Sequence, residues 1–429
     1  MQSKLVAFFA PDFTEVSTIT RARGFLEHGL TPVVFAFRRG RYNPAFKSPW
    51  REIDLGRTVD GRYLDRALKM FAALPIIWRN RVLLRQAVVF YARNLDQLML
   101  ASAARLLVGG KARLYYEVLD VARAFTRPGL LAAVMRFLER RLLRRLDAIV
   151  VSSPAFLQRY YAPIQGYGGR AFLIENRLHA SDVAIIEGSP AAASLSKGLR
   201  RRYKWVIGYF GLIRGERTLE LITGLAERFP DILFYFRGVV TTIDPRKFEA
   251  VIAAHDNMIY GGAYVNPDDL KQLYSSVDLT WAIDLEHEDY NSRWLLPCRL
   301  YESGIIGVPC LAARGFEAGE HVERLGIGWT VEPPYGDSLA RLFARLAREE
   351  YDVVVDRLAA LPLRSFVMGE DMAKLCRAIA GEEKESMVSR PPPIRVAFQP
   401  PKEVIELRSA EESSPVGGPA IHPYNPRQS

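Results

Sequence analysis

The chain has 429 residues, of which 49% are hydrophobic, 25% charged and 11% aromatic. This is ordinary globular composition and excludes collagen-like, coiled-coil and wholly disordered chains. At roughly 100–200 residues per domain it amounts to about two domains, each long enough to bury a core. The net charge of +10 is uneven: residues 1–190 hold 29 Lys/Arg against 15 Asp/Glu, and residues 191–429 hold 29 against 33. A basic half beside a mildly acidic one implies an anionic partner for the first half, whether membrane surface, nucleic acid or phosphorylated substrate. The three cysteines, Cys298, Cys310 and Cys376, form no disulfide framework and no zinc motif, and suit a reducing cytoplasm. No secretory signal is legible in residues 1–13, and no apolar run approaches the ~18 residues of a membrane span.

In chain order, LVAFFA (5–10) reads as a buried strand, followed by a helix that closes at Gly29, and then by strand TPVVFAF (31–37). Strand, helix, strand within about 35 residues is a βαβ unit, which opens a parallel sheet. Strands follow at 113–119, 148–153 and 171–176, with helical stretches between them. A second series starts after the stretch SPAAASLSKGLRRRYK (189–204), with strands at 205–211, 232–238, 258–264, 278–284, 308–313 and 328–333. The pattern predicts a first α/β domain over 1–188, a linker at 189–199, a second over 200–365, a helix over 366–382 that crosses back to the first, and a disordered tail over 383–429.

The densest chemical cluster is NSRWLLPCRLYESGIIGVPCLAA (291–313). Pro297 suits a helix start, and Gly304 is expected to end that helix. Glu302 then lies near the carboxyl end, where the dipole disfavours an anion. A carboxylate there either accepts hydrogen bonds from ligand hydroxyls or is an ordinary solvated side chain. The backbone at 293–296 is expected to offer free N–H groups to an anion, with Arg293 and Arg299 adding charge. In the first half, YYEVLDVA (115–122) ends a strand with Glu117 and Asp120, and ligands of parallel sheets bind at the carboxyl ends of strands. Asp120 is the first candidate for a general base and Glu117 the second, against the alternative that Asp120 caps a helix. His28, His179, His255 and His287 lack ligand spacing and read as surface or capping residues.

The run PCRLYESGIIGVP (297–309) resembles the P-x-(K/R)-L-x-E-x-x-x-x-G-x-P element of GT-B glycosyltransferases. It is most similar to the family 4-like enzymes of bacterial exopolysaccharide synthesis. GYFGLIRGERTLELI (208–222) is similar to that family's first strand–loop–helix of the donor domain, and YVNPDDLKQLYSSVDLTWA (264–282) to a further segment. The resemblance spans roughly residues 1–380. It implies an α/β fold of the GT-B type, two Rossmann-like domains facing across a cleft. Glu302 would hold the ribose of a UDP-glucose-like donor, Gly211 matches the loop glycine, and Arg217 falls on the phosphate-binding Lys. Leu212 stands where the family often has an Arg, so one diphosphate cation must come from elsewhere. The first acid of the family's glutamate pair is replaced by Trp294, leaving Glu286, Asp289 or Asn291 to contact the sugar.

With no DxD triplet, no metal and no cofactor beyond the donor is expected. Two basic, apolar stretches, 62–94 and 136–146, bear on the acceptor. The first reads either as an anionic-membrane face or as core helices, and the second better as a core helix with a solvated Arg face. The expected partners are a nucleoside-diphosphate sugar, a lipid-linked or polysaccharide acceptor and an anionic membrane surface, with no nucleic acid. The expected location is cytoplasmic, peripheral to the inner membrane. The alternatives are a GT-B sugar-nucleotide epimerase and a non-catalytic nucleic-acid-binding protein, of which the second leaves 291–313 unexplained.

Overall fold

Strand β1 (Lys4–Ala10) shows why its sequence is apolar without alternation. Val6, Phe8 and Ala10 enter one core cluster, while Ala7 and Phe9 enter the cluster on the opposite face. A strand covered on both faces by helices has no solvent side to encode. Parallel to it run β2 (Leu30–Arg38), β3 (Arg51–Arg57), β4 (Ala87–Arg93), β5 (Arg113–Val118), β6 (Ala148–Val151) and β7 (Ala171–Leu173), in the order β3-β2-β1-β4-β5-β6-β7. A second parallel sheet comprises β8 (Trp205–Ile213), β9 (Ile232–Val240), β10 (Met258–Tyr260), β11 (Leu279–Trp281), β12 (Cys310–Ala313) and β13 (Gly328–Val331), in the order β10-β9-β8-β11-β12-β13. The structure is a computed structural model that describes residues 4–39, 46–58, 63–121, 125, 129–288 and 290–382. The tail expected over 383–429 lies outside the described residues. No helix among the described residues is long and apolar enough to cross a membrane.

Two strands escape the sequence pattern. β3 is a charged edge strand, and β4 is embedded in the basic stretch 62–94, which divides into helices Tyr63–Arg79 and Arg81–Leu84 before the strand. Phe90 and Tyr91 of that stretch are therefore buried in the sheet and face no membrane. A short apolar run cannot be assigned to strand or helix by periodicity alone.

Strand order reverses between β1 and β4 in the first sheet, and between β8 and β11 in the second. The connections leaving these strands diverge, and a crevice opens at their carboxyl ends. The domains also exchange pieces. Helix Ala180–Gly188, which the sequence places in the first domain, buries Val183 and Ile186 among Tyr203, Val206 and Leu273 of the second. The segment expected to be a linker is partly helical, over Ala193–Arg202. Helix Glu370–Ala380 packs Met372, Leu375, Cys376 and Ile379 against Val6, Phe8 and Val34 of the first sheet. Its last carbonyls are capped from there: Lys4 Nζ donates to Ala380 O at 2.6 Å, and the Arg113 guanidinium to the carbonyls of Ala378 and Ile379.

The helix carrying Glu302 runs over Arg299–Ile306, three residues beyond its expected end. Gly304 lies inside it, and the stop is Gly307 at φ 88°, with a 6→1 bond of 2.9 Å from Val308 N to Ser303 O. Gly304 is needed for another reason: a Cβ there would stand 2.2 Å from a ring carbon of buried Phe366, on the segment that leads to helix Glu370–Ala380. We expect Gly304→Ala to destabilise the protein by roughly 1–3 kcal/mol through overpacking. Gly224→Ala, in helix Glu216–Arg228 where a Cβ meets open space, should stabilise by about 0.5–1 kcal/mol. Thermal denaturation of the two variants checks the pair; equal melting temperatures would refute the packing account.

Candidate active site

The first wall of the cleft is built from connections after β1, β4 and β5. Beneath it lies a buried ion-pair cluster. Arg93, the last residue of β4, donates to Glu117 Oε2 through Nε at 2.9 Å and Nη2 at 2.7 Å, and Arg21 Nε donates to Glu117 Oε1 at 2.7 Å. Arg93 also reaches Ser17 Oγ at 2.9 Å and Thr18 Oγ1 at 3.1 Å, tying the β1 connection to the β4 end. Glu117 is 1% exposed. Burial raises its pKa, but the guanidinia of Arg21 and Arg93 more than offset this and hold it below the ordinary range. A carboxylate held in this way is a structural counter-ion, which corrects the reading of Glu117 as a free base.

Asp120, two residues past β5, is different. Its side chain opens into the cleft, yet the surrounding walls desolvate it and raise its pKa, with Asp96 acting in the same direction and Arg214, Arg39 and His287 acting against it. Glu15, on the β1 connection, has a pKa raised by burial as well, and Asp120 contributes to that shift. No cap hydrogen bond from Asp120 to a following helix is present among the described residues. Arg214 and His287 belong to the second domain, so Asp120 faces groups presented from across the cleft.

The second wall rises from β8, β10 and β11. Gly211 has φ 100°, and a Cβ on it would come within 4 Å of Tyr264 Oη and an Arg299 nitrogen. Gly238, on the adjacent strand, must be glycine for the two strands to meet there: a Cβ would lie 1.9 Å from the Gly211 carbonyl oxygen. Arg299 sits 4.7 Å from the Tyr209 ring centroid and donates to Trp281 O at 3.0 Å. Arg214, in the loop after β8, pairs with Asp284 after β11, its Nε 3.0 Å from Oδ2. Burial raises the Asp284 pKa, but Arg214 and the Glu286 N–H more than reverse this and lower it. Arg214 supplies a cation two positions beyond Leu212, just past the end of β8. A residue-by-residue match to the family motif does not find it, because the arginine is displaced by two positions along the chain.

Glu302 lies in the first turn of its helix, where the dipole favours an anion, rather than at the carboxyl end. Asn266 Nδ2 donates to Oε1 at 2.9 Å and Tyr274 Oη to Oε2 at 2.8 Å. Burial nonetheless raises its pKa against these hydrogen bonds. Arg217 and Arg293 are exposed at the rim: Arg217 pairs with Glu288, and Arg293 donates to Glu288 O at 2.7 Å and lies over Phe316.

Two expectations around 291–296 are corrected. The backbone there is not a free anion site, because Arg293 N donates to Tyr290 O at 3.0 Å and Leu295 N to Asn291 O at 3.1 Å within helix Asn291–Trp294. Asn291, a candidate sugar contact, is buried and accepts from Val121 N at 2.9 Å, fixing the Asp120 loop to the second domain. Glu286 accepts from Thr242 Oγ1 at 3.0 Å, and Asp289 lies outside the described residues. Trp294 leaves the cleft altogether. Its indole packs on Phe156 and Tyr160, with centroids 6.4 and 6.3 Å away, inside the core of the first domain.

No family model matches the chain. The succinoglycan biosynthesis protein ExoL of Rhizobium meliloti is 30% identical over 379 residues, which covers 87% of this chain and 93% of ExoL. Among solved structures, Anabaena HepE in complex with UDP and glucose has a TM-score of 0.64 at 16% identity, with 88% of this chain and 100% of HepE covered. Sucrose-phosphate synthase from Thermosynechococcus elongatus also has a TM-score of 0.64, at 15% identity and with 89% and 100% covered. Two parallel-sheet domains, each with its order reversal turned toward a shared cleft, give this chain the GT-B fold that the solved glycosyltransferase structures share. Within that class, it belongs to the ExoL family of exopolysaccharide biosynthesis.

Removing Glu117 leaves two buried guanidinia unpaired. Glu117→Ala should therefore destabilise the fold by about 3–5 kcal/mol, the range for breaking a buried pair, as read by denaturant unfolding. A loss below about 1 kcal/mol would show that the cluster behaves as a surface pair.

Proposed function

We propose that this enzyme moves a hexose from a UDP-glucose-like donor to a lipid-linked saccharide at an anionic membrane surface. The observation that carries the acceptor half of this reading is the outer face of the first domain. Helices Tyr63–Arg79, Asn94–Leu107 and Leu130–Leu143 turn Ala73, Ile77, Leu98, Ala101 and Leu143 into one core cluster. Their opposite sides leave large apolar residues in solvent: Phe71 is 70% exposed, Trp78 47%, Leu130 82% and Phe137 61%. Arg79, Arg81, Arg140 and Arg141 lie on or beside the same helices. Aromatic and aliphatic residues interleaved with cations suit the interface of an anionic bilayer, where each cation near the surface contributes about 1 kcal/mol. A nucleic-acid partner would engage the arginines and leave the exposed apolar side chains unused. The 136–146 stretch joins this face through Phe137, so the helix is more than a core element with a solvated Arg side.

On the donor side, HepE is bound to UDP and glucose, and ExoL acts in polysaccharide biosynthesis. By this reading Glu302 holds the ribose, and the glycine at 211 lets the donor approach the strand end. Arg299 and Arg214 stabilise the charge that grows on the departing diphosphate, with Arg217 and Arg293 at the rim. In an inverting transfer, the acceptor oxygen attacks the anomeric carbon while the bond from that carbon to the diphosphate oxygen breaks. The nucleoside diphosphate leaves with the bonding pair, and Asp120 takes the acceptor proton. These cations provide the charge stabilisation that a metal would otherwise supply, and the site lies on the cytoplasmic side of the inner membrane.

The test of the function is transfer of radiolabelled glucose from UDP-glucose to a bacterial lipid extract, together with vesicle flotation. The protein should float with anionic vesicles and not with neutral ones. Binding should weaken as salt shortens the screening length toward ~8 Å, and the double variant Phe71→Asp, Phe137→Asp should abolish it. Indifference to anionic vesicles at low salt would remove the lipid-linked acceptor.

Asp120 must be ionised to accept a proton, so turnover falls as pH drops through its pKa. Because burial raises that pKa, the acid limb of the kcat/KM profile should lie above the ~3.9 of an ordinary Asp. Asp120→Asn should lower kcat by about 10²–10⁴; a near-normal rate in the folded variant would discard it as the base.

A further inference from the structure

We propose that a hollow on the first domain, away from the cleft, binds a phosphate group, and that its source is the headgroup of an anionic lipid. The inference rests on the membrane-surface reading above and adds to it a defined site outside the catalytic crevice.

The hollow has a volume of about 480 Å³ and lies past the carboxyl end of helix Leu130–Leu143, before β6 and β7 begin. Arg140 and Arg144 line it, and no acidic residue does so among the described residues. Arg140 Nη2 donates to Ile164 O at 2.9 Å, which holds the guanidinium in place and leaves its other N–H groups for a ligand. Arg144 has no ion pair or side-chain hydrogen bond among the described residues. The wall continues through Gly166, Gly168 and Gly169, all exposed, whose N–H groups have no hydrogen-bond partner among the described residues. Guanidinia and neighbouring free N–H groups are the donors that hold a phosphate. Gly168 is informative: its φ lies outside the left-handed region and a Cβ there would meet nothing within 4 Å. The fold does not require glycine at that position, whereas a ligand lying against the backbone would. Leu142 O and Leu143 O at the helix end accept from Arg145 N and Leu146 N, so these carbonyls are not left bare toward an anion. Of the carboxylates nearby, Glu139 is enclosed by its own donors and Asp147 accepts from Leu114 N at 2.8 Å.

The lipid source follows from the helix that leads to the hollow. Leu130, Val134, Phe137, Arg141 and Arg144 succeed one another at spacings of four and three residues, so they share one helix face, and all are exposed. That face is apolar at its beginning and cationic where it meets the hollow. A helix lying on a bilayer by its apolar side brings such arginines to headgroup level, and the hollow with them. The hollow sits at the amino ends of β6 and β7, whereas the cleft opens at the carboxyl ends of the strands. Four residues of β6 at ~3.3 Å each separate the two ends by roughly 13 Å. A phosphate held there is therefore no reactant of the transfer; it fixes how the cleft mouth meets the membrane.

Flotation with phosphatidylcholine vesicles, with and without phosphatidylglycerol, tests this on the full chain. The wild type should float only when phosphatidylglycerol is present. Gly168→Val fills the cradle at unchanged charge and should weaken that binding about tenfold, the weight of one hydrogen bond to a charged group. Arg144→Ala loses a surface cation as well and should cost about fiftyfold, while Arg145→Ala, which removes a cation outside the hollow, should cost only about fivefold. Equal binding by wild type and a cooperatively melting Gly168→Val, or equal losses for Arg144→Ala and Arg145→Ala, overturns the inference and leaves diffuse attraction alone. Calorimetry with glycerol phosphate separates the two sources of the ligand. It should bind more weakly than the vesicles do; binding as tight as theirs assigns the hollow to a soluble phosphate and overturns the lipid source. Failure of the membrane reading shows separately, as a wild type that ignores phosphatidylglycerol vesicles, and the inference falls with it.

Discussion

The cleft depends on the seating of Trp294 in the core of the other domain. A single indole from the second half of the chain closes the aromatic cluster of Phe156 and Tyr160, and Tyr290 and Leu295 pack beside it. Burying so large an apolar surface resists separation of the domains, and the neighbouring Asn291 turns the same contact into a hydrogen-bonded register. The polar groups that line the crevice are therefore brought together by a hydrophobic anchor a few residues away.

The receiving surface is unusual in its own right. Phe156–Tyr161 is a π-helix, a form that re-aims consecutive side chains. Tyr160 and Tyr161 both reach Glu139, at 2.9 and 3.1 Å, and Tyr116 and Gln165 complete its shell. Burial raises the pKa of Glu139 in spite of these donors. A carboxylate that accepts from four side chains beneath an aromatic layer fixes the orientation of that layer, since these donors would lose it if the layer moved. Trp294 thus docks onto a rigid floor.

Two carboxylates three residues apart show how environment divides roles. Glu117 points into the protein and finds two guanidinia; Asp120 points into the crevice and finds opposing charges at longer range. The first has its proton affinity lowered and the second has it raised. The proposed transfer accordingly gives the proton to the second, and assigns the arginines of the same crevice to the departing diphosphate.

The sequence by itself determined that there are two parallel α/β halves, because strands buried on both faces must be uniformly apolar, and β1 and β8 cannot be read otherwise. It determined that a second-domain helix starting near Pro297 carries Glu302, though not where that helix ends, and the basic character of the first half. Tertiary structure alone decided the rest. β4 was hidden because its residues are apolar in a basic stretch that a helix explains equally well. Gly304 looked like a stop because a glycine's need for space is set by a neighbour, here Phe366, that is distant in sequence. The sequence ranks Asp120 ahead of Glu117 as a base but does not show that Glu117 is a counter-ion, since the arginines that claim it lie 24 and 96 residues away. His287, Arg214 and Trp294 acquired their places only when the strand reversals set two loops face to face, because a cleft is a relation between distant segments and leaves no local pattern in either.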